Sequence, residues 1–375
     1  MRQAYIFFVL IFISFVFGQE VQHERKAFWV VRYALQSAED IDEIIQTAYS
    51  AGITDLFIQA RALGEVYFNS NIEHKAGKIP ENFDPLAYAI KKAELYNIKV
   101  HAWINMFYIW SGNDPPADSQ HVFYRLNHAI LRKNSFPAYQ ELRSTGAEGF
   151  FLDPQDKQVQ NYLLNLLDEM TDNYDVSGIH LDYFRYPDVN FSFTAQSRTN
   201  FMLTNWYDPL EVYQSSGEYT KKRGFPVFME ADKQYRQYLS DKLTGYLERI
   251  KEMLDRKPHH IDLSVAVKPD PVKAKHRYFQ DWMKWLKKRL CDFVVVMNYN
   301  TDKDEFDRVL NQFPNTASKK NIIMGISTYN QSAEAVLDRI ASVRAGKFSG
   351  FSLFSYNHLI ENKAYLMKLI HKSRL

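Results

Sequence analysis

The residues best able to do chemistry in this chain lie in one stretch, Gly178-Ile179-His180-Leu181-Asp182-Tyr183-Phe184-Arg185-Tyr186-Pro187. If it starts as a strand, side chains alternate between its faces. Gly178, His180 and Asp182 then share one side, and Ile179, Leu181 and Tyr183 the other. The second set suits packing beneath helices. The first set places a carboxylate at the C-terminal edge of a strand, where α/β barrels do their chemistry. A buried strand has little reason to carry His and Asp on one face unless they are satisfied there or used. The alternative is structural, with Asp182 holding Arg185 or capping the next loop.

Such a strand needs a sheet around it, and the flanking sequence supplies one. Short β-type runs alternate with amphipathic helical patterns, which points to βα units around a parallel sheet. Strands are expected at 28–33, 54–60, 98–104, the opening stretch, 261–267, 292–297, 321–327 and 350–354. Asp84-Pro85 suits a helix start, Asp as cap and Pro in the first position. The clearest helical period is Val159, Tyr162, Leu163, Leu166, Leu167 and Met170. Eight strands, each followed by a helix, predict a (β/α)8 barrel of the TIM type with long loops after strands three and four. No glycine-rich nucleotide turn follows the first strand, which argues against a doubly wound sheet. No linker or repeat divides residues 20–375, which read as one barrel domain.

Composition narrows the function. The 375 residues are 46% hydrophobic and 24% charged with a net charge of +2, so no large field points to nucleic acid. Residues 1–19 read as a cleaved export signal: Arg2 precedes an apolar run from Ala4 to Phe17. That run is shorter than the ~20 residues of a comfortable membrane span. An exported protein, periplasmic or secreted, with no stable membrane span after cleavage, is expected. The only cysteine, Cys291, excludes an internal disulfide, so stability must come from a large core.

Alternation also names the side chains that face the barrel axis. They are Gln59, with Arg61 at the strand exit, then His101, Trp103 and Asn105, then His180 and Asp182. Ser264, Ala266 and Lys268 follow on the fifth strand, Asn298 on the sixth, Gly325 and Ser327 on the seventh. Polar residues gather at the C-terminal strand ends, as at a site. Both long loops are aromatic. One holds Phe107, Tyr108, Trp110, Phe123 and Tyr124; the other holds Phe191, Phe193, Trp206, Tyr207, Tyr213 and Tyr219. Exposed rings would stack on sugar faces; otherwise they pack the loops onto the barrel. Trp103 and Trp110 are the foremost candidates for sugar contacts.

The motif from Gly178 to Pro187 resembles the glycosyl-hydrolase-like family ten of bacterial exported proteins. Further pieces match in order: Gln59 to Tyr67 with Asn69-Ser70, His101 to Asn105, Leu152-Asp153-Pro154 before a helix, and Tyr174-Asp175-Val176. The resemblance implies a barrel distantly similar to α-amylase and α-galactosidase folds. In those a carboxylate ending the fourth strand is the nucleophile, the place Asp182 holds. It also implies hydrolysis of amino-sugar polymers, including peptidoglycan glycan strands stripped of peptide.

Glycosidases normally use two carboxylates. The fifth strand ends Val267-Lys268-Pro269-Asp270 with no glutamate, so Asp270, Asp302, Glu65 and Asp153 stay open for the second role. Asp153 could instead cap the helix after it. Lys268 would depress the pKa of a neighbouring carboxylate, favouring a nucleophile over an acid. The expected catalytic pair is Asp182 with Asp270. The expected substrate-binding residues are Arg61, Glu65, Tyr67, His101, Trp103, Asn105, Trp110, Asp153, His180, Arg185, Tyr186, Lys268 and Asn298. No metal or cofactor is expected, and the partner is a polysaccharide or oligosaccharide. Two other readings are a deacetylase with His101, His180 and Asp182 on Zn²⁺, and a non-catalytic glycan-binding barrel.

Overall fold

A computed structural model describes residues 24–133, 147–313 and 317–373. The expected export signal lies outside the described residues. Eight parallel strands form the barrel. In chain order they are β1 (Arg25–Val30), β2 (Asp55–Ala62), β3 (Lys99–Asn105), β4 (Gly178–Asp182), β5 (Asp262–Val267), β6 (Phe293–Met297), β7 (Ile322–Ser327) and β8 (Gly350–Phe354). Each pairs with its sequence neighbours, and β1 pairs with both β8 and β2, which closes the ring.

The strands alternate as a closed barrel requires. Outward residues such as Val100, Ala102, Ile104, Ile179 and Leu181 join the large core beneath the helices. Inward residues form a separate inner core of Ala27, Trp29, Phe57, Trp103, Ala266, Phe293, Val295 and Ile323. Some polar inward groups pair with each other: Trp29 Nε1 donates to Ser352 Oγ at 2.6 Å, and His180 Nδ1 lies 2.8 Å from Ser264 Oγ. The barrel interior is a filled core, and a cavity opens above it at the C-terminal mouth.

Helix starts follow the chemistry of their first residues. Asp84 caps the helix Pro85–Glu94, with proline in the first turn as expected. The helix Lys157–Asn173 buries Val159, Leu163, Leu166, Leu167 and Met170, but its cap is Asp156, not Asp153. After β4 the chain forms three short helices before the long one, Phe225–Leu254. After β3, Tyr108–Trp110 pairs antiparallel with Phe150–Phe151.

The first strand starts and ends three residues earlier than expected, because Arg25 and Lys26 belong to the ladder with β8 while Arg32–Ala34 forms a tight 3-10 turn. Gly178 sits where no side chain fits: a Cβ there would lie 2.3 Å from His101 Nδ1 and 2.8 Å from the Asp262 carbonyl oxygen. The motif's glycine therefore serves strand packing inside the barrel. Among the described residues, no helix is long and apolar enough to cross a membrane.

Candidate active site

Asp182 ends β4 inside the mouth. It is 7% exposed. Its Oδ2 accepts from Trp103 Nε1 at 3.1 Å and its Oδ1 from the Tyr183 backbone N–H at 2.7 Å. Burial pushes the Asp182 carboxyl up to about 6, against the pull of the Tyr183 amide, Arg185, Trp103 and Lys268. This carboxyl holds its proton far more readily than a free aspartate, and desolvation is the cause.

The cavity above it has a volume of about 510 Å³. Of the expected residues, it gathers Trp103, Asn105, Asp182, Arg185 and Lys268. Trp29, Tyr33, Tyr108, Tyr183, Tyr299 and Phe354 supply aromatic wall. Tyr183 and Tyr108 stack at 4.3 Å. Asn105 Oδ1 is buried without a hydrogen-bond partner, an acceptor free for a ligand hydroxyl. A larger hollow of about 770 Å³, near Lys284, Cys291 and Asn321, opens at the opposite, N-terminal end of the strands. Barrel chemistry belongs at the C-terminal end.

Glu148 also lines the cavity, and sequence reasoning passed over it. Its Oε2 accepts from Arg185 Nη2 at 2.7 Å, and its Oε1 lies 3.8 Å from Lys268 Nζ. Burial works against ionisation here, but the Arg185 and Lys268 cations outweigh it and hold the Glu148 carboxyl below the usual glutamate range. Burial, reinforced by Arg185, lowers the Lys268 ammonium. Arg185 is 3% exposed, and its guanidinium lies 5.0 Å over Tyr183 and 5.3 Å over Tyr278. The expectation that Lys268 depresses a neighbouring carboxylate fits, with Glu148 as that neighbour.

Several expected residues lie elsewhere. Asp270 caps the helix Pro271–Tyr278, accepting from the Val272 and Lys273 amides at 2.9 and 3.0 Å, so its carboxylate is spent on the backbone. Asp302 caps Lys303–Asn311 in the same way. Asp153 is fully buried, taking hydrogen bonds from Thr194, Ser197 and the Gln155 amide. Tyr186 is buried beside it, its hydroxyl 3.2 Å from Gln155 Nε2. Both fasten the loop after β4 and line no part of the cavity.

Arg61 turns away from the axis because the β2–β3 register shifts between Gln59 and Arg61, which sets Arg61 opposite outward-facing Ile104. It is buried against Glu73, with Nη2 to Oε1 at 3.0 Å. Glu65 sits in a two-residue hairpin on β2, and Tyr67 packs with Ala62, Ala76 and Ile79. Trp110 donates to the Asp114 carbonyl at 2.7 Å and packs on His121 at 5.5 Å. Asn298 falls one residue past the inward series Phe293, Val295 and Met297, and donates to the Phe306 carbonyl at 3.1 Å. Tyr183 departs in the opposite sense. Its φ of 51° breaks the alternation and brings its ring into the cavity.

His101 and His180 face the axis as expected but lie below the cavity. His101 Nε2 is 2.8 Å from Asp55 Oδ1, and His180 packs between Trp29 and Phe57. Both are fully buried. A zinc site of His101, His180 and Asp182 is not assembled, since the ligand atoms of these three described residues do not converge closely enough to share an ion. Among the described residues the cluster suited to a metal is His260, Asp262 and Asp292, at the N-terminal strand ends. There Arg25 Nη2 occupies Asp262 Oδ2 at 2.7 Å.

Most loop rings pack the protein instead of meeting solvent: Phe107, Phe123, Phe191 and Phe193 are buried, and Phe193 stacks on Tyr235 at 5.5 Å. Tyr108 alone of those loop aromatics reaches the cavity lining.

Relatives share this architecture. The "Structure of the PgaB (BpsB) glycoside hydrolase domain from Bordetella bronchiseptica" superposes with a TM-score of 0.69 at 12% identity, covering 94% of this chain and 98% of that one. The catalytic domain of β-amylase from Paenibacillus polymyxa follows with a TM-score of 0.60 at 11% identity, covering 93% of this chain and 98% of that one. At such identities the likeness is one of fold. In sequence, the chain is 28% identical over 143 residues to "Glycosyl hydrolase DigH" of Escherichia coli strain K12, covering 36% of this chain and 31% of that protein. It is 19% identical over 201 residues to "Glycosyl hydrolase YngK" of Bacillus subtilis strain 168, covering 48% and 36%. The matches thus span about a third of these relatives' lengths. The profile of the glycosyl hydrolase-like 10 family matches residues 24–338, most of the barrel, and the chain belongs to that family.

Proposed function

We propose that this protein is a glycoside hydrolase that cleaves an amino-sugar polymer, such as peptidoglycan glycan strands, with Asp182 as the general acid. The observation that carries this is a buried carboxyl at the floor of an aromatic-walled cavity on the C-terminal end of a barrel strand, where desolvation pushes it up to about 6. A carboxyl that keeps its proton toward neutrality is suited to protonate a departing glycosidic oxygen. This assigns Asp182 the acid's task in place of the nucleophile's task that the resemblance implied. Trp103, Tyr108 and Tyr183 offer flat surfaces for sugar rings, and Asn105 an unused acceptor. The amino-sugar preference rests on the resemblance, and the names of the glycosyl hydrolases above agree with the reaction class. The apolar run from Ala4 to Phe17 supports export to where such polymers lie.

The test is release of reducing ends by purified protein from denuded peptidoglycan strands, chitin oligomers, poly-N-acetylglucosamine and α-glucans, with Asp182→Asn alongside. Release from one amino-sugar polymer, lost in the variant, is the expected result. Binding without release by the wild type would replace the hydrolase with a glycan-binding barrel.

A further inference from the structure

We propose that Glu148 is the second catalytic carboxylate and acts as the nucleophile on the anomeric carbon. The proposal deepens the reading of Asp182 as the acid and rests on it. Two carboxylates are needed for glycoside hydrolysis by the common routes. Among the described residues lining the cavity, Asp182 and Glu148 are the carboxylates. The other acids weighed from the sequence lie elsewhere: Asp270 and Asp302 cap helices, Asp153 is sealed beneath the loop after β4, and Glu65 sits on the β2 hairpin.

The setting of Glu148 differs from that of a surface ion pair. Its side chain is half exposed, yet it is gripped by an arginine that is nearly buried. Arg185 is wedged among Phe151, Tyr183 and Tyr278, so its guanidinium has little freedom to follow a wandering partner. Lys268, projecting from the end of β5, approaches the other carboxylate oxygen. The backbone is pinned as well. A Cβ on the next residue, Gly149, would stand 2.2 Å from the Tyr108 ring and 2.4 Å from the Trp110 carbonyl, so the glycine lets this strand press against the cavity wall. Charge, side chain and backbone all fix one carboxylate at the mouth.

The two carboxyls are also pushed apart in acidity, as the two tasks require. The cations that keep Glu148 ionised make it a poor acid and a good leaving group, both of which suit a nucleophile. In the first step a Glu148 oxygen bonds to C1 while the C1–O glycosidic bond breaks, and the departing oxygen takes the Asp182 proton. In the second, Asp182 takes a proton from water as the water oxygen bonds to C1 and the C1–O bond to Glu148 breaks, which returns both carboxyls to their starting states. Two displacements return the starting anomeric configuration.

The alternative is a tether, in which Glu148 only ties its loop to Arg185. The experiment uses the full chain with denuded peptidoglycan strands and chitin oligomers, comparing wild type, Glu148→Ala, Glu148→Gln and Asp182→Asn with and without sodium azide. Both Glu148 variants should keep the wild-type unfolding midpoint to within a few degrees and lose roughly 10²–10⁴-fold in turnover. Azide should restore Glu148→Ala, yielding a glycosyl azide of configuration opposite to the substrate bond, and the wild-type product should first appear with retained configuration by NMR. Near-normal turnover of Glu148→Ala, an inverted wild-type product, or no azide adduct would each overturn the assignment. In any of those cases an inactive Asp182→Asn would leave the acid's role standing. A wild type that releases no product would remove both readings together.

Discussion

Replacing Asp182 with asparagine should abolish turnover and at the same time make the protein harder to unfold near neutral pH. The structure sets the size of the second effect. Burial raises the Asp182 carboxyl from 3.8 to about 6, roughly two units, or about 3 kcal/mol of differential interaction. Because the folded pKa lies above the unfolded one, the native state binds more protons than the unfolded state between those values. Stability therefore falls as pH rises through that window and stays lower above it. At pH 8 the wild type carries the full cost of about 3 kcal/mol, and at pH 3.5 almost none of it. Asparagine does not titrate. It can still accept from Trp103 Nε1 or the Tyr183 amide, and losing one of those bonds costs about 1 kcal/mol at every pH. The stability difference between variant and wild type should grow by about 2.5 kcal/mol from pH 4 to pH 8. Urea unfolding followed by tryptophan fluorescence across that range measures it directly. A difference that stays flat with pH would show that Asp182 has an ordinary acidity, and the general-acid assignment would lose its physical basis.

Two further outcomes follow from the same geometry. If Asp182 must be protonated to act, kcat/KM should fall as pH rises above about 6. Trp103→Phe keeps the ring but deletes a donor to the carboxylate, so it should move that limb upward by about one to two units, the worth of a hydrogen bond to a charged group; an unmoved limb in the pH–rate profile would contradict it. Glu73→Ala strands the buried Arg61 guanidinium, and denaturant unfolding should report a loss of about 3–5 kcal/mol. Arg61 also donates to the carbonyls of Asn105 and Met106 at the end of β3, so the same variant should weaken substrate binding.

The barrel was legible because its information is local. Each strand is a short apolar run with a period of two, and its helix follows within the same window, so the count of eight needed no long-range knowledge. The same period placed Trp103, Asn105, Asp182 and Lys268 on the axis at the mouth. It failed wherever the backbone left ideal geometry. The irregularity at Gln59/Arg61 turned a matching arginine out of the site, and the left-handed turn at Tyr183 brought an unclaimed tyrosine in. His101 and His180 show a different limit. The period gave their direction but not their depth: His180, two positions short of its strand end, packs on Trp29 and Phe57, and His101, four short of its own, packs on Phe57. Glu148 was illegible for a third reason. It stands in a loop with no motif, and its meaning comes from Arg185, 37 residues later on another strand's exit.

Three of these departures bear on how the site works. A bulge, a left-handed residue and a loop carboxylate each break a local rule at the mouth. Local rules are given up where the gain lies in chemistry. Two of the three departures assemble around Asp182: Tyr183 both donates its backbone N–H to the carboxylate and stacks on the Tyr108 wall, and Glu148 is clamped by the arginine three residues beyond Asp182. The third, through Arg61, fastens the end of β3 that carries Asn105 into the cavity. A glycan-binding barrel would need the aromatic wall and the free acceptor at Asn105. It would gain nothing from desolvating one carboxyl while surrounding its neighbour with cations. That difference in acidity between Asp182 and Glu148 is the feature of the site that favours catalysis over binding alone.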